Sequence, residues 1–336
     1  MSDPYLPIVH DLLAGQTLSQ ADARVFFSAV VRGEIPDIIL AAAISAIKVR
    51  TQTVEELAGA ASALLESAIP FPSPACEVAD IVGTGGDGHN TINLSTIAAI
   101  TAAACGVRIV KHGNRSISSV SGSFDLLEKL GVDFNLSPDD SWKQANDHGL
   151  CFLFAPNYHS GMRHAANVRK TLKARTIFNL LGPLVNPARP PKMLLGVADP
   201  NLVDPIAEVL HRLDCKSAFV AHGSGVDEVA IHGSTSVAAL ENGKIERLEL
   251  SPADFGSKTF DLQELVCHDP VESHERSKRV LSGQGSDAEN SAVSVNVAML
   301  LKLFGHDDLK SNFAKSMETL AAGEPMKLVN KIAEGN

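Results

Sequence analysis

Cysteine is scarce in this sequence, and its spacing matches no structural site. The chain has five cysteines among 336 residues, far apart and without a CxxC pair. A disulfide framework or a zinc site needs paired, closely spaced ligands. We therefore expect reduced cysteines that are mostly buried as small apolar side chains, as is typical of a cytoplasmic protein.

Excess positive charge and long apolar runs are also missing. The formal net charge is −10, which disfavours general binding to nucleic acid or to an anionic membrane, although it leaves room for a local basic patch. No apolar run reaches the ~18–20 residues that cross a bilayer. The N-terminal residues lack the basic and apolar regions of a signal peptide. The sequence thus predicts a soluble protein with neither a membrane nor a nucleic-acid partner.

Helical periodicity is present from the start of the chain, without strand alternation, up to residue 70. An all-α segment does not share the core of a parallel sheet, so we expect a separate small helical domain over 1–70, joined by part of 160–190. The segment PFPSPAC, Pro70–Cys76, is the expected hinge. A large α/β domain is expected over 76–336. The helices of the small domain are expected around 8–13, 19–31, 35–49 and 53–67.

Short β-rich runs alternate with helical ones from Glu77 onward. This alternation predicts a mainly parallel sheet with right-handed crossovers, whose ligand lies beyond the carboxyl ends of the strands. A hairpin around Glu241-Asn242-Gly243 and a helical tail over 287–333 complete the predicted α/β fold. The candidate parallel strands are 78–82, 107–110, 150–154, 193–196 and 218–221.

A glycine-rich turn follows the first candidate strand and reads Gly83-Thr84-Gly85-Gly86-Asp87-Gly88. Asn93, Ser95 and Thr96 then open an alanine-rich helix. Glycines let backbone N–H groups converge, and the start of a helix adds unpaired donors and the positive end of a dipole. This combination predicts a phosphate-binding site.

The same turn matches G-x-G-x-x-G, but the residues that follow disagree with a dinucleotide site. A dinucleotide fold places an acidic residue at the end of the next strand. Here that strand ends in Lys111-His112-Gly113-Asn114-Arg115, and no Lys-Ser/Thr pair follows the glycines as in a P-loop. A second phosphate is a better partner for these cations than a ribose diol. The serines that follow, which extend the candidate anion site, are Ser116, Ser118, Ser119, Ser121 and Ser123.

Two further segments carry candidate ligand groups. The helical part of 157–186 is rich in Arg and Lys and leads into the apolar segment 178–187, and an arginine beside an apolar wall suits a flat aromatic acid. The basic residues of that segment are Arg163, Arg169, Lys170, Lys173 and Arg175. The adjacent carboxylates Asp227 and Glu228, in a loop after a strand, provide hard oxygen ligands for Mg²⁺.

Six motifs, in this order and spacing, resemble those of the anthranilate phosphoribosyltransferases of the tryptophan pathway. The resemblance covers nearly the whole chain. The motifs are GTGGDG (83–88), NLST (93–96), KHGNR (111–115), SGSFDLLEKLG (121–131), VRKTLKARTIFNLLGPLVNP (168–187) and VDE (226–228).

This resemblance implies a nucleoside phosphorylase/phosphoribosyltransferase-like fold, a homodimer formed through the helical domains, and Mg²⁺ as cofactor. It also implies the reaction of anthranilate with 5-phosphoribosyl 1-diphosphate (PRPP) to give N-(5-phosphoribosyl)anthranilate and diphosphate. Lys111, His112, Asn114 and Arg169 would be catalytic, with Arg169 bound to the anthranilate carboxylate. His112 is also the candidate acceptor of the amine proton.

The resemblance also assigns the binding residues by motif position. Ser95, Asp227 and Glu228 would be associated with the metal. Around anthranilate it places Gly83, His112, Asn114, His159, Arg169 and Pro183. Around PRPP it places Gly83, Thr84, Gly85, Gly86, Asp87, Thr91, Asn93, Ser95, Thr96, Lys111 and Ser123.

Two departures and two alternative functions remain at this point. Ser160-Gly161 stands where relatives commonly have Pro-Ala, and Phe124 stands where many have Ala, so the outer substrate channel is expected to differ. A pyrimidine nucleoside phosphorylase would share the fold and a similar glycine turn, but would not need the Asp227-Glu228 pair. A non-catalytic nucleic-acid-binding relative would need a basic face, which the net charge disfavours.

Overall fold

The computed structural model describes residues 4–72, 76–115 and 122–335. Part of the expected hinge and the serines Ser116, Ser118, Ser119 and Ser121 lie outside the described residues. None of the described helices is long and apolar enough to cross a membrane.

The N-terminal segment forms the four helices expected from its periodicity. Ser19 caps the second helix, since its side chain accepts the N–H of Asp22, and Thr53 forms a capping box with Glu56 at the fourth. These local signals explain why the helix starts could be read from the sequence. The helices are α1 (Leu6–Leu13), α2 (Gln20–Arg32), α3 (Asp37–Arg50) and α4 (Val54–Ser67).

A seven-stranded sheet forms the centre of the molecule, in the order β3-β2-β1-β4-β5-β6-β7. The first five strands are parallel, and the last two form the antiparallel hairpin. Asn242 and Gly243 turn this hairpin at φ of 51° and 75°, as expected for this residue pair. The strands are β1 (Ala79–Gly83), β2 (Ile109–Gly113), β3 (Leu150–Phe154), β4 (Lys192–Gly196), β5 (Ser217–Gly223), β6 (Thr235–Glu241) and β7 (Lys244–Leu250).

Helices cover both faces of the sheet, as the crossover rule for parallel strands requires. Helix α12 is a difference from the sequence expectation, which placed no helix there. Its sequence is strongly polar, and its start is fixed by Asp269, whose side chain accepts the N–H of Glu272. The helices are α5 (Leu94–Ala104), α6 (Ser123–Lys129), α7 (Pro138–His148), α8 (Ala155–Tyr158), α9 (Arg163–Leu172), α10 (Phe178–Leu181), α11 (Val203–Arg212), α12 (Pro270–Leu281), α13 (Asp287–Leu303), α14 (Leu309–Ala321) and α15 (Glu324–Glu334).

The apolar core divides according to the period-2 alternation of the strands. Leu194 and Phe219 face one buried cluster, which includes α5 and α13. Met193, Leu195 and Val220 face the other, which continues without a break into α1–α4 and α9–α11. The helical segment therefore shares its core with one face of the sheet, because α4 packs directly on α11. This differs from the separate core expected for an all-α segment.

Candidate active site

A cavity of about 610 Å³ opens at the carboxyl ends of the parallel strands. The turn after β1 forms one wall, and the end of β2 forms the floor. The segment from α8 to α10 and the loop after β5 close the remaining sides. This is the position that the topology of a parallel sheet predicts for a ligand.

Of the residues that the resemblance assigns to PRPP, anthranilate or the metal, all but one line this cavity. The exception is Thr96, whose side chain is fully buried in α5 and whose Oγ1 has no hydrogen-bond partner among the described residues. The first α-helical bond of α5 is donated by the Ile97 N–H to the Asn93 oxygen. The backbone N–H of Thr96 precedes it, so the main chain rather than the hydroxyl suits an anion contact.

The glycine-rich turn needs its glycines, but not all of its N–H groups are available to a ligand. Gly85, Gly86 and Gly88 have φ of 63°, 79° and 82°, in the left-handed region that favours glycine. The Thr84 N–H donates to the Gly196 oxygen over 3.0 Å, and the Gly85 N–H donates to Asp227 Oδ2 over 2.6 Å. The main-chain donors left for a phosphate therefore lie further along the turn and at the start of α5.

Three carboxylates converge beside this turn. Asp87, Asp227 and Glu228 each place an oxygen within 4.8 Å of the others. Burial, followed by the charge of Asp87, raises the pKa of Asp227 to about 6. Burial and the two neighbouring carboxylates raise the pKa of Glu228 well above its ordinary value. Asp87 was not among the metal residues assigned from the sequence.

These carboxylates fit a hard divalent cation. Glu228 Oε2 is buried without a hydrogen-bond partner among the described residues, an arrangement that costs free energy until a cation or a proton compensates it. Oxygen donors at this spacing suit Mg²⁺. Ser95 lines the same cavity and can add a hydroxyl oxygen.

Two glycines at strand ends allow the acidic loop to approach the sheet. A Cβ on Gly83 would lie 2.1 Å from Asp227 Oδ2, and a Cβ on Gly196 would lie 1.5 Å from the Asp227 backbone oxygen. Gly83 and Gly196 are register partners on β1 and β4. The position of Asp227 therefore requires glycine at the ends of two neighbouring strands. The sequence pattern did not reveal this requirement at Gly196.

Lys111 lies at the floor of the cavity, and its side chain is only 1% exposed. Its Nζ donates to the Ile81 oxygen over 2.5 Å. Burial lowers the pKa of Lys111, and the charges of Asp80 and Glu228 oppose the decrease. Asp80 is itself buried, and its Oδ2 accepts from the Asn186 amide over 2.8 Å. Lys111 thus lies within electrostatic reach of two carboxylates.

The histidines His112 and His159 pack edge to face, with ring centroids 5.3 Å apart. His159 Nε2 donates to the Val185 oxygen over 2.8 Å. Burial, followed by the neighbouring His159, lowers the pKa of His112 to about 3. A ring that is neutral and this weakly basic is a poor proton acceptor at neutral pH. The electrostatics therefore disfavour the proton-acceptor role that the sequence suggested for His112.

Arg169, which α9 carries, also lines the cavity. Its guanidinium lies 5.6 Å from the centre of the Phe178 ring. No carboxylate lies within ion-pair distance of it in the part of the chain that the structure describes. Burial lowers the pKa of Arg169. A half-buried cation without a counter-charge, beside an aromatic face, suits a flat carboxylate ligand.

Several cavity residues escaped the site assignment from sequence. Phe178 and Met162 supply apolar surface to the Arg169 end, and Arg175 donates to the Thr84 and Gly85 oxygens over 3.3 and 2.9 Å. Arg175 was noted only as one of several cations near a helix. Its closeness to the glycine turn is a tertiary contact across about ninety positions, which periodicity does not reveal.

The two departures from the family pattern have different consequences. Phe124 does not narrow the channel, because it is fully buried against Phe134 and Phe154 and lies outside the cavity lining. Ser160 does line the cavity. Gly161 packs on α2, where an added Cβ would lie 2.6 Å from the Val31 oxygen. Phe124 therefore lies behind the cavity lining, and an altered channel stays a prediction for Ser160-Gly161.

Comparison with known proteins decides the family. Residues 6–68 match the glycosyl transferase family, helical bundle domain, and residues 75–326 match the glycosyl transferase family, a/b domain. The anthranilate phosphoribosyltransferase of Photobacterium profundum is 52% identical over 326 residues, 97% of this chain and 96% of that protein. This chain belongs to the anthranilate phosphoribosyltransferase family. The resemblance inferred from the motifs is thereby confirmed.

Solved structures of anthranilate phosphoribosyltransferases have the same fold. The crystal structure from Thermus thermophilus matches with a TM-score of 0.91 and 37% identity, over 97% of this chain and 98% of that one. The Saccharomyces cerevisiae enzyme in complex with PRPP and Mg matches with a TM-score of 0.90 and 28% identity, over 100% of this chain and 99% of that one. The yeast enzyme in complex with 4-fluoroanthranilate matches with a TM-score of 0.88 and 28% identity, over 98% of this chain and 96% of that one. The predicted fold class is confirmed.

Proposed function

We propose that this protein transfers the phosphoribosyl group of PRPP to the amine of anthranilate, giving N-(5-phosphoribosyl)anthranilate and diphosphate in tryptophan biosynthesis. The observation that carries the proposal is the pairing of two unlike ends in one cavity. One end has the carboxylate cluster beside the glycine turn. The other has Arg169 without a counter-charge beside Phe178. A metal-bound diphosphate suits the first end, and an aromatic acid suits the second.

The donor end binds the diphosphate. The free N–H groups of the turn after β1 and of the start of α5 donate hydrogen bonds to its oxygens. Asp227 and Glu228, with Ser95 and Asp87, would hold Mg²⁺, which supplies neutralising charge to the leaving group. Lys111 adds a fixed positive charge from the floor of the cavity, where low exposure strengthens electrostatic interactions. The remaining residues proposed to contact PRPP are Gly83, Thr84, Gly85, Gly86, Thr91, Asn93, Thr96 and Ser123.

The acceptor end binds and orients anthranilate. Arg169 binds the carboxylate, while the ring packs against Phe178 and Pro183. Gly83, Asn114, His112 and His159 complete the wall and direct the amine toward the anomeric carbon of the ribose. Orientation of two bound reactants accounts for a large part of the rate increase in such reactions.

The chemical step is a displacement at the anomeric carbon. The bond to diphosphate breaks, and the amine nitrogen attacks from the opposite face through an oxocarbenium-like state. The aromatic amine becomes acidic only after the new C–N bond forms, so its proton can leave to solvent or to the diphosphate. No strong base is required early, which agrees with the low pKa of His112.

The experiment that tests this function compares two reactions of the purified protein. We expect N-(5-phosphoribosyl)anthranilate, identified by mass, when anthranilate, PRPP and Mg²⁺ are supplied together. A pyrimidine nucleoside phosphorylase would instead cleave thymidine in the presence of phosphate. Thymidine cleavage without anthranilate consumption would reverse the assignment. A DNA mobility shift at moderate salt, with neither reaction observed, would favour the nucleic-acid-binding alternative.

We also propose a cytoplasmic homodimer that associates through the helical segment, with a domain boundary and hinge at 70–76. The free state of all five cysteines supports a reducing compartment. Ile38 and Val49, both on α3, are 78% and 88% exposed. Their spacing of eleven residues places them on one helix face. An exposed apolar strip of this kind is typical of an interface.

A further inference from the structure

Arg175 occupies a position that none of the assigned roles explains. It lies in the short connection between α9, which carries Arg169, and α10, which carries Phe178. Its Nη2 donates to the Thr84 and Gly85 oxygens of the glycine turn. One segment of chain therefore contacts both ends of the site, the acceptor end through Arg169 and the donor end through Arg175.

The missing side chain of Gly86 leaves space for the Arg175 guanidinium. A Cβ on Gly86 would lie 1.4 Å from Arg175 Nη1, so any other residue there would displace the arginine. Two features therefore require glycine at position 86: its φ of 79° and the space that Arg175 occupies. This close approach places a cation directly on the turn that supports the phosphates.

The charge of Arg175 is not neutralised by an ion pair. Across 4–72, 76–115 and 122–335, no carboxylate lies within ion-pair distance of its guanidinium. Among the guanidinium nitrogens of Arg175, only Nη2 makes hydrogen bonds within these residues, so the N–H groups of Nη1 and Nε are available to a ligand. The residue is exposed and lines the cavity. A planar guanidinium with unused donors is a strong phosphate ligand.

We propose that Arg175 is a diphosphate-binding residue, which holds the glycine turn through Nη2 and donates from Nη1 or Nε to the leaving diphosphate. The inference rests on the proposed function and deepens its donor site. Arg175 faces the diphosphate from the solvent side, and Lys111 faces it from the buried floor. The leaving group is thereby enclosed by two cations of different exposure.

The test is calorimetric binding of inorganic diphosphate in the presence of Mg²⁺, together with steady-state kinetics. Arg175→Gln is expected to weaken diphosphate binding and raise the KM for PRPP by about ten-fold or more, as for loss of a charged hydrogen bond. The KM for anthranilate should change less than about two-fold. Arg175→Lys, which retains the charge, should recover part of the loss. The matched control is Lys216→Gln, an exposed cation outside the cavity lining, which should behave as wild type.

The outcomes separate this inference from the proposed function. An active wild-type protein whose Arg175→Gln variant binds diphosphate with unchanged affinity would overturn the inference alone. Equal increases in both KM values would also overturn it, since they indicate a general structural role. A wild-type protein that neither binds diphosphate nor consumes anthranilate would overturn both. If Arg175→Gln does not fold, Arg175→Lys provides the test. A lysine ammonium cannot reproduce the planar N–H donors of the guanidinium, so this variant should still weaken diphosphate binding measurably.

Discussion

Burial determines what the individual ionisable residues of the cavity can do. Lys111 and Asp80 are each about 1% exposed, and His112 is 2% exposed. Desolvation favours the neutral form of each group, and neighbouring opposite charges or hydrogen bonds to the charged form oppose it. For Lys111 the opposing charges are those of Asp80 and Glu228, whereas for His112 the opposing interaction is a hydrogen bond with the Gly182 backbone. The residue types of the site could be read from the sequence, but these charge states follow from burial.

His112 should stay neutral throughout the physiological range. Its pKa of about 3 lies below the ordinary value of 6.5, so below pH 6.5 the unfolded chain takes up a proton that the folded chain refuses. This histidine therefore opposes folding increasingly as pH falls from about 6.5 toward 3. Relative to His112→Asn, the wild type should lose about 1 kcal/mol of unfolding free energy between pH 6 and pH 5.

Denaturant unfolding of both proteins at the two pH values measures this difference, and histidine NMR provides an independent check. The ring signals of His112 should not titrate between pH 5 and pH 8. A titration midpoint near 6.5 would contradict the low pKa and would restore the proton-acceptor role.

Most residues that the sequence assigned to the candidate site line the cavity, because they belong to short local motifs. Gly83–Gly88 and Lys111–Arg115 follow strands directly, so their place at the sheet edge could be predicted from topology. Thr96 was assigned with them, yet the helix turns its side chain into the core. Arg175 and Gly196 escaped because their functions depend on contacts with residues distant in the chain.

The ends of β1 and β4 leave little space around the acidic loop that carries Asp227 and Glu228. The loop after β5 reaches across to the ends of β1 and β4, where glycines leave room for Asp227. Gly85 then donates its N–H to the same carboxylate. The proposed cation site therefore depends on strand ends that contribute no ligand.

Gly196→Ala should impair the cation site without altering any proposed ligand. The added Cβ would lie 1.5 Å from the Asp227 backbone oxygen, so the loop must shift. We expect a higher Mg²⁺ requirement and a loss of activity of about ten-fold or more, since displacement by about 1 Å has large effects on catalysis. A magnesium titration of the rate measures it. Wild-type activity at limiting Mg²⁺ would show that the close approach is unimportant.

The order of elements could be predicted from periodicity, whereas their packing could not. Parallel strands, crossover helices and the Asn-Gly hairpin all have local signals. Helix α12 lacks an apolar stripe, and its start depends on one Asp cap. The shared core of α4 and α11 arises from tertiary packing. The change from helical periodicity to strand–helix alternation along the sequence suggested two separate cores instead.

For the whole molecule, the helical segment packs behind the cavity wall that carries Arg169 and contributes Leu64 to the lining. Helices α2 and α3 pack on α9, which carries Arg169. Gly161 and Gly33 permit close approach between the two regions, the first to Val31 and the second to His164. Anthranilate binding is therefore expected to depend on how this segment sits on the sheet.

The proposed dimer can be tested through its exposed apolar strip on α3. Val49→Asp should dissociate the dimer, since a charge at a buried apolar interface is strongly unfavourable. Light scattering after gel filtration should give twice the chain mass of 35.5 kDa for the wild type and 35.5 kDa for the variant. The matched control is Val271→Asp, which changes an exposed valine on α12. A monomeric wild type would refute the proposal.

The proposed phosphoribosyl transfer can be measured by following anthranilate fluorescence with PRPP and Mg²⁺ while diphosphate release is monitored in parallel. The wild type should consume anthranilate and release diphosphate in equal amounts. The rate should fall by at least about a hundred-fold in Glu228→Gln or when Mg²⁺ is chelated, as expected from loss of a major electrostatic contribution to catalysis. Folded wild-type protein that consumes no anthranilate, or that reacts equally well without Mg²⁺, would contradict the account.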